Sequence, residues 1–312
     1  MADNAPTPSR LIDAKRSAKN KNSVIRTKGV LGSDFLSRLT GSFSTGAASN
    51  PTVWMIEAAY RFHKLDWRYI NCEVNPENLK FAVHGAKAMG WIGFNCSMPH
   101  KIKVIDFLDD LSDSARIIGA VNTVVISGSR LLGENTDGKG FLKSLDAVRP
   151  VKGAKALIFG AGGAARAVAI EIALAGCKEL HVVNRDPGRG ERLAELVSSC
   201  TSTKTCFSPW LGRFQIPDDI DIVINCTSIG LPPRVDVDFQ VDTSTLLPRM
   251  TVADVIANPA NTKFLQSARD RGCTVLDGRG MLVNQACIAF KLWTGHEPNS
   301  EVFKAALAEI AL

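Results

Sequence analysis

Three short polar clusters in the first half of this 312-residue chain carry residue types that chemistry uses and packing does not explain. They are Asn95-Cys96-Ser97-Met98-Pro99-His100-Lys101, Gly119-Ala120-Val121-Asn122-Thr123 and Glu134-Asn135-Thr136-Asp137-Gly138. Each brings small hydroxyl, amide or ionisable side chains to what reads as a strand end or loop, where ligands are usually bound. The second half offers a different chemistry. Gly160-Ala161-Gly162-Gly163-Ala164-Ala165 fits G-x-G-x-x-A between an expected strand and an expected helix. The first Gly permits a tight turn, the second lets the backbone approach a pyrophosphate, and the small last position allows close helix packing. The free N–H groups of the helix start then face the phosphates.

The end of the next strand sets the choice of dinucleotide. An acid there binds a ribose 2′-hydroxyl, and an Arg accommodates a 2′-phosphate. The run is Asn184-Arg185-Asp186, with Arg189 following. A neutral Asn followed by Arg favours NADP, while the Asp186 carboxylate leaves NAD open. Two ordinary surface arginines are the bland alternative.

These groups need a scaffold, and the hydrophobic pattern supplies one. Residues 51–63 have helical periodicity, with Asn50 as N-cap and Pro51 at the first helical position. Residues 66–74 read as a strand, 76–89 as a helix stopped by Gly90, 101–111 and 112–118 as helices, and 122–126 with 131–134 as a hairpin turned at Ser127-Gly128-Ser129. From residue 156 a regular alternation begins. Strands are expected at 156–159, 180–183, 222–225, 251–255 and 274–276, with helices at 164–175, 190–198 and 263–271. Such repeats build a doubly wound parallel sheet.

The expected fold is therefore two-lobed α/β: a flexible basic arm (1–27), an α/β substrate-binding and catalytic domain (28–140), a Rossmann-type domain (141–280), and C-terminal helices (281–312) that pack back on the first domain. The length also predicts about two domains.

Composition narrows the class. With 45% hydrophobic and 22% charged residues the chain reads as a soluble globular protein. Much of the net charge of +6 comes from Arg10, Lys15, Arg16, Lys19, Lys21, Arg26 and Lys28. This reads as a solvated arm, and without a binding motif or interleaved aromatics it predicts no nucleic-acid partner. The eight cysteines have no metal-ligand spacing, which predicts reduced thiols, no metal and a cytoplasmic protein. No apolar run reaches membrane-spanning length.

Taken in order, the clusters resemble the shikimate/quinate dehydrogenase family, which carries F-N-V-T-x-P-H-K, G-A-V-N-T and N-T-D-G before a G-A-G-G-A-x-R turn. The later Asn225-Cys226-Thr227-Ser228-Ile229-Gly230 and Gly278-Arg279-Gly280-Met281-Leu282-Val283-Asn284-Gln285 are similar to further family segments. The resemblance runs from about Gly41 to Trp293. It implies that Lys101 and Asp137 are the catalytic pair, with His100 structural. It also implies that Ser97, Asn122 and Gln285 reach substrate hydroxyls, and that Thr227 and Gly278 join Gly160 to Ala164, Asn184, Arg185, Asp186 and Arg189 around NADP, with NAD possible. The expected activity is reversible, NADP-dependent reduction of 3-dehydroshikimate to shikimate by a monomer or homodimer.

Two departures bear on the substrate. The family's carboxylate-binding S-x-S-P appears as Ser42-Phe43-Ser44-Thr45, followed by Gly46-Ala47-Ala48-Ser49-Asn50-Pro51. Ser42 and Ser44 are assigned to the carboxylate, with Ser49 or Asn50 as alternatives because the spacing to the next helix differs. Ala257 stands where many members have Tyr. Quinate or another cyclic hydroxy acid, with NAD or NADP, is the alternative substrate. A non-catalytic ligand-sensing paralogue is the alternative class.

Overall fold

The computed structural model describes residues 36–233 and 235–310; the basic arm lies outside them. Residues 38 onward hold two six-stranded sheets. The first is built from β1 (Arg38–Ser44), β2 (Trp67–Glu73), β3 (Gly93–Cys96), β4 (Asp110–Leu111), β5 (Thr123–Ser127) and β6 (Arg130–Glu134) in the order β2-β1-β3-β5-β6-β4. β1 runs parallel to β2 and β3, whereas β5 is antiparallel to β3 and β6. Helices α1 (Thr52–Phe62) and α2 (Leu79–Ala88) are the crossovers that parallel pairing demands.

The expected helix over 101–111 is a correction. The chain forms α3 (His100–Lys103), a 3-10 turn (Val104–Phe107) and then β4. The run Val104-Ile105-Asp106-Phe107-Leu108 has helical composition, but Asp109 N takes Leu131 O as its acceptor, which draws the backbone into the sheet edge. α4 (Asp113–Ile118) follows, capped by the Ser112 hydroxyl and closed by Gly119 at φ 66°.

α5 (Thr136–Asp146) leads out of the first sheet, and residue 140, the expected end of the first domain, falls inside it. The second sheet is wholly parallel: β7 (Lys155–Phe159), β8 (Glu179–Asn184), β9 (Lys204–Pro209), β11 (Ile222–Asn225), β13 (Thr251–Asp254) and β14 (Thr274–Leu276), ordered β14-β13-β11-β7-β8-β9. α6 (Gly163–Leu174) and α7 (Pro187–Cys200) connect β7 to β8 and β8 to β9, and α8 (Lys263–Asp270) precedes β14. A two-stranded ribbon, β10 (Phe214–Gln215) with β12 (Val241–Asp242), stands beside it. Ile158, Leu180, Val182, Ile222 and Ile224 are fully buried in this sheet, as expected when helices cover a parallel sheet.

α9 (Arg279–Thr294) and α10 (Ser300–Ala308) close the chain. Val283, Ala286, Phe290 and Trp293 of α9 share a core with Met55, Ile56 and Tyr60 of α1. The buried Trp293 indole N–H donates to Val124 O at 3.0 Å, which fixes α9 to the first sheet.

Candidate active site

The backbone gathers the three polar clusters. Val121 N donates to Lys101 O at 2.7 Å, Cys96 N to Asn122 O at 2.9 Å, and Asn122 N to Glu134 O at 3.1 Å. Lys101 on α3 and Asp137 at the first turn of α5 then meet, with Nζ 2.6 Å from Oδ2. Asn135 caps α5, accepting from Asp137 N and Gly138 N. The carboxylate also benefits from the positive end of the helix. Asn122 is buried and wholly used: Nδ2 donates to Thr136 Oγ1 and Asp137 Oδ1, each at 2.9 Å, and Oδ1 accepts from Thr136 N at 2.7 Å.

The pair opens into a cavity of about 380 Å³ lined also by Ser44, Ser49, Asn50, Asn95, Ser97, Asn122, Ala257, Gly278, Met281 and Gln285. Among the described residues, Lys101 and Asp137 are the only ionisable acid or base on its wall, apart from the Cys96 thiol, which burial pushes up to about 12 and so keeps neutral. Gln285 comes from α9, which packs against α5 at Gly140. His100 is buried, with Nε2 2.7 Å from Val74 O, and holds α3 against β2.

Ser42 is a correction. It is fully buried and absent from the cavity wall; its hydroxyl donates to Asn71 Oδ1 at 2.8 Å and accepts from Asn50 Nδ2 at 3.1 Å. It supports Asn50, which does line the cavity. Two residues missed in the sequence complete this support. Asn71 Nδ2 donates to Ala47 O and Asn50 O, and the Glu73 carboxylate accepts from Gly46 N and Ala47 N, each at 2.8 Å. Those N–H groups hold the Glu73 carboxyl below its usual range. The polar alternation Asn71, Glu73 along β2 was the available signal.

The Gly-rich turn lines a second, adjoining cavity of about 680 Å³ that shares Lys101 and Asp137. Gly160 has φ 107°, and a side chain there would meet Cys226 O at 2.9 Å. Around Gly163 there is open space, and α6 begins without a side-chain cap or an acid in its first turn. Its N–H groups are thus left for an anion, which fits a dinucleotide pyrophosphate. Ala161, Gly162, Ala164 and Arg189 line this cavity.

Other expected cofactor contacts lie differently. Asp186 turns inward to cap α7, accepting from Arg189 N at 3.1 Å, and Asn184 Nδ2 donates to Asp186 O. Arg185 lies over the Trp210 ring at 5.8 Å. Thr227 stabilises its own turn through Asn225 Oδ1. Gly278 lies on the wall of the first cavity rather than the second, where a side chain would strike the backbone of Val255 and Ile256.

Family models match along most of the chain. Residues 48–124 match the shikimate dehydrogenase substrate binding domain, 144–263 the shikimate/quinate 5-dehydrogenase model, and 278–308 the shikimate 5′-dehydrogenase C-terminal domain. A shikimate dehydrogenase (NADP(+)) of Desulforamulus reducens is 40% identical over 259 residues, covering 81% of this chain and 88% of that protein. This chain belongs to the shikimate/quinate dehydrogenase family.

Solved structures superpose closely on this chain. A shikimate dehydrogenase in complex with NADP+ has a TM-score of 0.83 at 37% identity, covering 91% of this chain and all of the other. The ligand-free 5-ketofructose reductase of Gluconobacter sp. strain CHM43 has a TM-score of 0.86 at 51% identity, covering 89% of this chain and all of the other. No described helix is long and apolar enough to cross a membrane.

Proposed function

We propose that this chain is an NADP-dependent dehydrogenase that reversibly reduces 3-dehydroshikimate to shikimate. The observation that carries this reading is the 2.6 Å contact between Lys101 and Asp137 at the junction of a polar cavity and the cavity of the Gly-rich turn. The nicotinamide, when bound, supplies or accepts the hydride. The chain itself handles the proton. Toward reduction, the Lys101 ammonium donates to the developing alkoxide; toward oxidation, its neutral amine takes the hydroxyl proton. Asp137 aims the Lys101 nitrogen, and Asn122 fixes the carboxylate from its other oxygen. Ser97 and Gln285, lining the cavity without a side-chain hydrogen bond among the described residues, are suited to ring hydroxyls.

A second reading, reduction of an uncharged polyhydroxylated ketone such as 5-ketofructose, is favoured by a specific observation. The groups that the serine segment offers a substrate carboxylate are largely spent inside the protein. Ser42 is held by Asn71, the Ser49 hydroxyl donates to Gly46 O, and the N–H groups of Gly46 and Ala47 serve Glu73. The 51% identity to the Gluconobacter enzyme supports the same reading.

The deciding experiment measures initial rates at the reduced-nicotinamide absorbance, crossing shikimate, quinate and fructose with NADP and NAD in the oxidative direction, and 3-dehydroshikimate and 5-ketofructose with NADPH in the other. Highest kcat/KM for the shikimate couple with NADP supports the first reading. A preference for the keto sugar supports the second, and turnover of none refutes both.

A further inference from the structure

Helix α7 begins with an arrangement that works against its own stability. Arg189 and Arg192 lie three residues apart on one face of its first two turns, where the helix dipole disfavours cations and two like charges repel. Both line the cavity of the Gly-rich turn. Arg189 Nη2 reaches Ala161 O at a long 3.4 Å. Arg192 has no hydrogen bond or ion pair among the described residues.

The Arg192 guanidinium folds back toward the helix start. Its Nη1 lies 3.2 Å from the point where a side chain on Gly188 would begin, and Asp186 Oδ1 lies 3.6 Å from that same point. Gly188 therefore leaves the room that lets Arg192 reach the positive end of the helix. Asp186 forms no ion pair with it among the described residues; its carboxylate caps the helix by accepting from Arg189 N. Arg185, the cation that the motif offers first, sits on the Trp210 ring and is not on this cavity wall.

We infer that Arg192 is a specificity-determining residue for the cofactor: together with Arg189 it binds the phosphomonoester on the adenosine ribose, so that a dianion offsets two cations otherwise placed unfavourably. A phosphomonoester near −2 accepts charge-assisted hydrogen bonds from both guanidinium groups. The inference rests on the NADP reading above. It goes beyond that reading by moving recognition from the strand end to the second turn of α7, and it gives Gly188 a reason.

The test is calorimetric binding of 2′,5′-ADP and of 5′-ADP to wild type, Arg192→Gln and Arg192→Lys, with steady-state KM for NADP and NAD alongside. Expected for Arg192→Gln is a loss of at least tenfold in affinity for 2′,5′-ADP, a change within twofold for 5′-ADP, a raised KM for NADP and an unchanged kcat. Arg192→Lys should recover part of the loss. Equal losses for both nucleotides, or no loss for either, would overturn the assignment. If wild type itself binds the two nucleotides equally, the NADP reading falls instead, and that result is independent of the variants.

Discussion

Asn122 donates to Asp137 Oδ1 at 2.9 Å while Lys101 Nζ holds Oδ2 at 2.6 Å, so each oxygen of one carboxylate has its own partner. The carboxylate cannot rotate without breaking one of the two contacts, and the ammonium is aimed by a group that is itself fixed. Lys101→Ala is expected to lower kcat by about 10²–10⁴-fold, the usual worth of a positioned proton donor. KM should change much less. Steady-state kinetics check this, and full turnover in the variant would remove Lys101 from the mechanism.

Truncating Asn122 acts differently. Asn122→Ala leaves Thr136 N and Asp137 Oδ1 without their buried partner. We expect a stability loss of about 1–3 kcal/mol in denaturant unfolding, together with a smaller fall in kcat than for Lys101→Ala. A kcat loss equal to that of Lys101→Ala would mean that Asn122 acts on the substrate itself.

Asp254 gives a pH prediction. It is fully buried and accepts from Ile256 N, Asn225 Nδ2 and Thr262 Oγ1, yet desolvation outweighs these bonds and lifts its carboxyl to about 6. The folded state therefore binds this proton more tightly than the unfolded chain does. Its contribution to stability is greatest below the unfolded carboxyl range and is lost as pH rises to about 6, an effect of ~3 kcal/mol for ~2 pH units. Unfolding curves for wild type and Asp254→Asn should differ by this slope. Parallel curves across that window would contradict the assignment.

Gly140 sits where α5 meets α9. A side chain there would lie 2.7 Å from Gln285 N and 2.8 Å from Met281 O, both backbone atoms of the substrate wall. Gly140→Ala should cost about 1–3 kcal/mol of stability. It should also raise KM for the substrate while leaving KM for the cofactor alone. A thermal melt and paired KM values decide, and unchanged substrate KM would show that α9 yields without moving Gln285.

Glu73→Gln tests the second functional reading. Removing this charge beside the Gly46–Ala47 loop should raise kcat/KM for a ring acid relative to a neutral keto sugar, by several-fold in low salt. An unchanged ratio would mean that Glu73 only shapes the loop.

The chemistry was more legible in the sequence than its supports. Lys101, Asp137, Asn122, Ser97 and Gln285 meet around one cavity because short motifs fix local backbone, and the backbone bonds between clusters do the rest. β1 was missed because its buried stretch includes Thr40, Gly41, Ser42 and Ser44, so a central strand carries no apolar alternation. α5 was missed because Gly138 and Gly140 read as turn residues. They are contact points: a side chain on Gly138 would meet the α6 backbone at Ala167, and one on Gly140 the α9 backbone. Ser42 was misassigned because hydroxyl type identifies a donor but not the side of the strand it serves.

α5 leaves the first sheet for the second, and α9 returns, the two helices lying against each other behind the cavities. They act as the spine of a book whose covers are the two sheets. The alignment of Asp137 on α5 with Gln285 on α9 therefore rests on this joint, and a break in either helix would cost that registration before it cost either sheet its fold.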